Sequence, residues 1–289
     1  MAVYMPDSVE FAVAHLSGGA TTILAGGTDL MVEINDGHRR PTGDLVVVNR
    51  IPELRSWRRD PATRSVRIGA AVPYSEMLSG PLASMCPALA EAARTVGSPQ
   101  IRNAGTLGGN LGTCSPAGDG LPVLVALGAE VELASPGRRR SMPVEAFMSG
   151  PKQTVMEPDE MIVSVTVPVV DGWQGYAKVG VRNAMVIAVA SACVVIDRPA
   201  QRVGVALGSV GPTVLRCPPA EADLSASIDW STMSATDADL QRFATLVSGQ
   251  SRPITDHRST ADYRRHAVGV LARRLVRRGL AEMGSQEAA

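Results

Sequence analysis

Apolar residues Val9, Ala12, Val13 and Leu16 recur at the spacing of one helix face, with Asp7 or Ser8 placed to cap it and Gly18-Gly19 to stop it. A β-type run, Thr21 to Ala25, then leads into Gly26-Gly27 and a helical turn from Asp29. Leu45 to Val48 is a bare β-rich run, and Val66 to Ile68 is a second short strand, so the pattern predicts a small α/β unit. Residues Ser75 to Val96 carry helical spacing broken into pieces by Pro81 and Pro87. The stretch from Gly97 to Gly120 holds seven glycines and two prolines between apolar segments. It reads as a long functional loop anchored by Ile101, Leu107 and Leu111. Leu121 to Leu127 predicts a buried helix, while Glu130 to Ala134 and Met161 to Val167 predict strands.

Beyond Asp171-Gly172 three β-rich runs, Gln174 to Val181, Val186 to Ile196 and Arg202 to Val210, precede helical patterns at Thr236 to Val247 and Thr260 to Met283. Strands followed by helices indicate an α+β unit and place a domain boundary near residue 170. The last helix is basic, with Arg264, Arg265, Arg273, Arg274, Arg277 and Arg278 beside Val268, Leu271 and Leu275; it is read as a packed helix with a solvated arginine face, the alternative being a partner-subunit contact.

The 289 residues, 45% hydrophobic, suffice for two or three compact units. Lys and Arg total 28, as do Asp and Glu, so no general attraction to a phosphate backbone arises and a nucleic-acid partner is not expected. The start lacks a secretory pattern, and the most apolar run, Met185 to Ile196, is 12 residues, short of the roughly 20 that span a bilayer as a helix. The expected location is cytoplasmic. Cys86, Cys114, Cys193 and Cys217 stand far apart, and His15, His38, His257 and His266 form no cluster, so neither a disulfide framework nor a metal site is expected. Ser115 and Ser209 have no pattern recommending a nucleophile, and no catalytic residue is assigned.

Two segments share one chemistry. Ala25-Gly26-Gly27-Thr28-Asp29-Leu30 and Thr106-Leu107-Gly108-Gly109-Asn110 each put paired glycines beside a hydroxyl. Such glycines can aim several N–H groups at one anion, and the missing Cβ atoms let the backbone approach it closely. Two such nests suit a diphosphate, although neither is a G-x-G-x-x-G fingerprint.

The string Gln100 to Asn110, followed by Ser115-Pro116 and Asp119, closely resembles the FAD-binding part of molybdenum hydroxylases. So do Leu24 to Met31, Gly150 to Val155, Pro158 to Ile162, Lys178 to Arg182, Gly208 to Thr213 and Asp262 to His266, so the resemblance spans nearly the whole chain. It is to the separate flavoprotein (medium) subunit of the carbon monoxide dehydrogenase and xanthine dehydrogenase type. That resemblance implies an α+β fold: an FAD-binding domain of the vanillyl-alcohol oxidase (PCMH) type over residues 1–170, with two α+β subdomains split near residue 55, then a smaller α+β domain over 171–289. It further implies that Leu24 to Met31, with Thr106, Gly108, Gly109 and Asn110, hold the pyrophosphate and adjoining groups of FAD. Asp119 would bind ribityl or ribose hydroxyls, and Ile162 and Lys178 match later FAD-contacting positions.

The implied chemistry is electron transfer from iron–sulfur clusters through FAD to an external acceptor, since a flavin connects one-electron and two-electron partners. Four scattered cysteines do not make a cluster site. The resemblance places the 2Fe-2S clusters on a small partner subunit and the molybdenum cofactor on a large one, in a heterotrimer often doubled into a dimer of heterotrimers. Carbon monoxide, purines, N-heterocycles and aldehydes stay open as substrates of the large subunit, and a quinone, an electron carrier or oxygen as acceptor. The competing readings are a self-contained flavin oxidoreductase, which the residues equip with no evident base, and an assembly module that has lost FAD, against which the intact glycine pairs and Asp119 count.

Overall fold

The computed structural model describes residues 2–38 and 43–287, which form two compact units. The first comprises the chain up to Met77, Val96–Ser115 and Gly128–Pro168; the second comprises Leu78–Thr95, Pro116–Leu127 and Val169 onward.

In the first unit the helix Val9–Leu16 forms where its apolar spacing placed it. Ser8 caps it by accepting from the Phe11 N–H at 3.3 Å, and Val9, Ala12, Val13 and Leu16 are all buried. They pack with Val46, Val48, Ile51, Leu54, Met161 and Val163. Strands Val3–Tyr4, Asp44–Val47 and Thr21–Leu24 make a parallel sheet in that order. A five-stranded antiparallel sheet runs Trp57–Asp60, Ser65–Gly69, Met161–Pro168, Glu130–Ser135, Arg138–Pro143. The arginine-rich edge strand 138–143 carries no apolar alternation, so sequence pattern did not predict it; charge on an edge strand discourages further pairing.

The glycine-rich stretch is not an irregular loop. Residues expected as an irregular loop contain the helices Pro99–Ala104 and Leu107–Thr113. Glycine disfavours helix by propensity, but here Ser98 and Thr106 cap the two helices. Leu107 and Leu111, one turn apart, are fully buried.

In the second unit the antiparallel sheet Gly172–Val179, Ala190–Asp197, Arg202–Gly208, Leu215–Arg216 has helices on both faces. Ala190, Ala192, Val194 and Ile196 alternate into a core with Val203, Val205, Leu224, Phe243, Val268 and Val276, contributed in part by helices Pro218–Ser227, Asp237–Gln250 and Ala261–Glu287. Helices Pro87–Thr95 and Gly120–Ala126 also pack on this sheet; Gly204 carries no Cβ, which would stand 2.8 Å from the Ala126 carbonyl oxygen. Residues 180–189, expected partly as strand, lie outside the sheet, with Val181, Met185 and Ile187 exposed. Arg264 departs from the solvated-face reading: it is buried, donating to the carbonyls of Val189 and Ser209 and pairing with Asp256. No helix among the described residues is long and apolar enough to cross a membrane.

An ion-pair network braces the five-stranded sheet. Arg67 bridges Glu53 and Glu132 at 3.1 and 2.6 Å, and Arg139 meets Glu53 at 2.7 Å. The Arg139 hydrogen bond holds the Glu53 carboxyl below its ordinary value. Burial would raise Glu132, but hydrogen bonds from Ser164 and Arg67 outweigh it and lower that group too. Carboxyls depressed in the folded state stabilise it fully above their unfolded pKa, and the contribution is lost as pH falls through the folded values. Thermal stability is therefore expected to drop on acidification below the ordinary glutamate range, and Glu132→Gln to flatten that drop. Melting scans against pH check it; identical slopes for both proteins would refute the assignment.

Candidate functional site

The first unit brings the two glycine segments together. Strand Thr21–Leu24 delivers the turn 25–29, and helix Leu30–Asn35 follows, with the Met31 N–H donating to the Gly27 carbonyl at 3.0 Å. Gly26 sits against the end of helix Pro99–Ala104: a Cβ there would lie 1.9 Å from the Ala104 carbonyl oxygen and 3.1 Å from Gly105 Cα. Gly27 has φ +72°, in the left-handed region that glycine adopts without strain. Thr28 lies beside Gly105, and the Thr113 hydroxyl donates to Asp29 Oδ2 at 3.1 Å, so the turn is fastened along the second segment.

That second segment is not a nest. Gly108 and Gly109 lie in the first turn of helix Leu107–Thr113, and its donors are spent inward. The Leu107 N–H reaches the Val72 carbonyl at 3.3 Å, Gly108 N–H that of Ala70 at 2.9 Å, and Gly109 N–H the Thr106 hydroxyl at 3.0 Å. Thr106 is thus a buried cap. Gly108 is glycine because Ala70 crosses it, a Cβ there falling 2.5 Å from Ala70 Cβ and 2.7 Å from its carbonyl oxygen. The half-buried surface that remains is formed by residues 25–28 and by Gly109 and Asn110. Ile162, on the central strand, approaches the same helix at Gly112.

In the second unit Asp119 and Lys178 form a buried ion pair, Nζ to Oδ2, at 2.7 Å. Lys178 also donates to the carbonyls of Thr95 at 2.9 Å and Val186 at 3.1 Å, which uses all three ammonium protons. Tyr176, two residues earlier and on the same strand face, donates its hydroxyl to Asp119 Oδ1 at 2.7 Å. Burial pushes the Asp119 carboxyl up, opposed by the Lys178 charge and by the hydrogen bonds it accepts. No motif singled out Tyr176; a Tyr-x-Lys alternation on one strand was its signal.

The residues fit an FAD on two counts. The turn at Gly26-Gly27 leaves half-buried backbone on the surface beside Gly109 and Asn110, and Asn110 Oδ1 is shielded from solvent and makes no hydrogen bond within the protein. The four cysteines are buried free thiols, Cys86 and Cys217 pushed up to about 12 by burial, which leaves them poor thiolate ligands.

The family model for the FAD binding domain in molybdopterin dehydrogenase matches residues 1–170, and that for the CO dehydrogenase flavoprotein C-terminal domain matches residues 176–278. The chain belongs to this family of molybdenum hydroxylase flavoprotein subunits. It is 31% identical over 278 residues to the carbon monoxide dehydrogenase medium chain of Hydrogenophaga pseudoflava, covering 94% of each chain. It is 32% identical over 271 residues to the glyceraldehyde dehydrogenase medium chain of Sulfolobus acidocaldarius, covering 92% of this chain and 93% of that one. The solved carbon monoxide dehydrogenase from Hydrogenophaga pseudoflava lacking the Mo-pyranopterin moiety matches with a TM-score of 0.85 at 30% identity, covering 97% of each chain. The α+β fold, the FAD cofactor and the role of oxidoreductase subunit implied by the sequence resemblance are those of this family.

Proposed function

We propose that this chain is the electron-transfer subunit of a cytoplasmic molybdenum hydroxylase, assembled with a small iron–sulfur subunit and a large molybdenum subunit as a dimer of heterotrimers. The observation that carries the reading is the turn at Gly26-Gly27, fastened along helix Leu107–Thr113 where a cofactor's diphosphate needs bare backbone.

Leu24, Ala25, Gly26, Gly27, Thr28, Asp29, Leu30 and Met31 form the diphosphate-side cradle, with Gly26 and Gly27 at its centre. Thr106 and Gly108 build the wall behind it, Gly109 and Asn110 its open edge, and Ile162 apolar support. Asp119 accepts from cofactor hydroxyls through its remaining lone pairs, while Lys178, its three protons already placed, opposes the upward push of burial on that carboxyl rather than donating to the cofactor itself. Bound there, FAD supplies the exchange between one-electron clusters and a two-electron acceptor. The chain's own residues bind and orient it, and substrate oxidation falls to the large subunit. Residues 1–170 act as the cofactor-binding domain and 171–289 as the second domain.

Stopped-flow mixing of the assembled complex with its reducing substrate tests this. Bleaching of the flavin after reduction of the iron–sulfur clusters is expected; flavin that stays oxidised while the clusters are reduced would reject the role.

A further inference from the structure

We propose that Tyr176 is a positioning residue for the cofactor site: its hydroxyl fixes the Asp119 carboxylate in the orientation that leaves its free lone pairs to a ligand. The inference rests on the reading of Asp119 as an FAD ligand.

A carboxylate held only by an ammonium can swing about that contact, because the ammonium is a point charge with rotatable donors. Asp119 is held at both oxygens, Oδ2 by Lys178 and Oδ1 by Tyr176, each at 2.7 Å. Two separate donors on two oxygens fix the plane of the group. Tyr176 and Lys178 alternate onto one face of strand Gly172–Val179, so both donors come from one rigid element. The phenol is itself enclosed: Tyr176 is buried, 4% exposed. The Tyr176 hydroxyl donates to Asp119 Oδ1, and the Lys178 ammonium to Oδ2. Burial, with Asp119 beside it, pushes the phenol pKa well above its ordinary value, so Tyr176 remains a donor.

The hydroxyl is separable from the rest of Tyr176. The backbone N–H of Tyr176 donates to Glu91 Oε2 at 2.6 Å whatever the side chain is, and phenylalanine fills the same buried space. Tyr176→Phe therefore removes one hydrogen bond and leaves Asp119 Oδ1 to rotate or to recruit water.

The test is a double-mutant cycle on the deflavinated full chain, titrated with FAD and followed by quenching of flavin fluorescence, with a melting scan of each variant. Tyr176→Phe is expected to weaken FAD binding about tenfold in the native background and less than twofold in an Asp119→Ala background, where there is no carboxylate to orient. Tyr176→Met, which also removes the hydroxyl, is expected to weaken binding about tenfold and supplies the readout if Tyr176→Phe does not fold. Equal losses for the Tyr176 variant in both backgrounds, or affinity left unchanged by it, would overturn the positioning role alone. Unchanged affinity in Asp119→Ala would overturn the reading of Asp119 as a ligand and the inference with it.

Discussion

Gly26→Val is expected to cost this chain its FAD. The first atom of the new side chain would stand 1.9 Å from the Ala104 carbonyl oxygen, a backbone atom at the end of a helix that cannot step aside as a flexible side chain would. The turn 25–29 has to move instead, and overpacking of this kind costs about 1–3 kcal/mol before any ligand is considered. A cradle displaced by that much is expected to lose FAD affinity by roughly a hundredfold, about 2.7 kcal/mol. Gly109→Ala, on the cradle's edge, is the milder comparison: its Cβ would meet a side-chain atom, the Thr106 hydroxyl, at 2.9 Å, inside a helix where alanine is favoured, so affinity is expected to fall by no more than about tenfold. FAD titration of both deflavinated variants, with melting scans, separates cofactor loss from unfolding. Gly26→Val binding FAD as tightly as the native chain would remove the turn from the cofactor site.

The second large effect is expected at the buried ion pair. Lys178→Met strips the charge partner from Asp119, whose residue is 9% exposed, and breaking a buried pair on one side costs on the order of 3 kcal/mol. For a unit of this size that is roughly 6 to 12 °C in Tm. Asp119→Asn combined with Lys178→Met removes both charges and is expected to recover most of that stability, while FAD affinity stays low because the acceptor carboxylate is gone. A double variant that melts like Lys178→Met alone would show that packing, not charge, supports this site. One that regained native FAD affinity would take Asp119 out of the ligand set.

Local signals made much of the fold legible. Val9, Ala12, Val13 and Leu16 spell out their helix, and Ser8 its start; the alternating apolar positions of 190–197 mark a strand. The helix Leu107–Thr113 was not legible, because its glycines argue against helix and its stability comes from Leu107, Leu111 and the close crossing of Ala70. Nor could the pattern reveal that segments 78–95 and 116–127 pack with the sheet of residues 172–216, a long-range choice no local periodicity encodes. At the site, resemblance supplied Asp119 and Lys178 as positions, but only the structure shows that Lys178 spends all three protons on Asp119, Thr95 and Val186. Chemistry written into glycine pairs was visible; which N–H groups were already taken was not.

The central claim, that this chain carries FAD, is tested most directly by the visible absorption spectrum of the purified chain before and after reduction, with the released chromophore identified by mass. The account predicts flavin bands that bleach on reduction, the mass of FAD, and no iron–sulfur absorption. A colourless chain that also takes up no added FAD would contradict it.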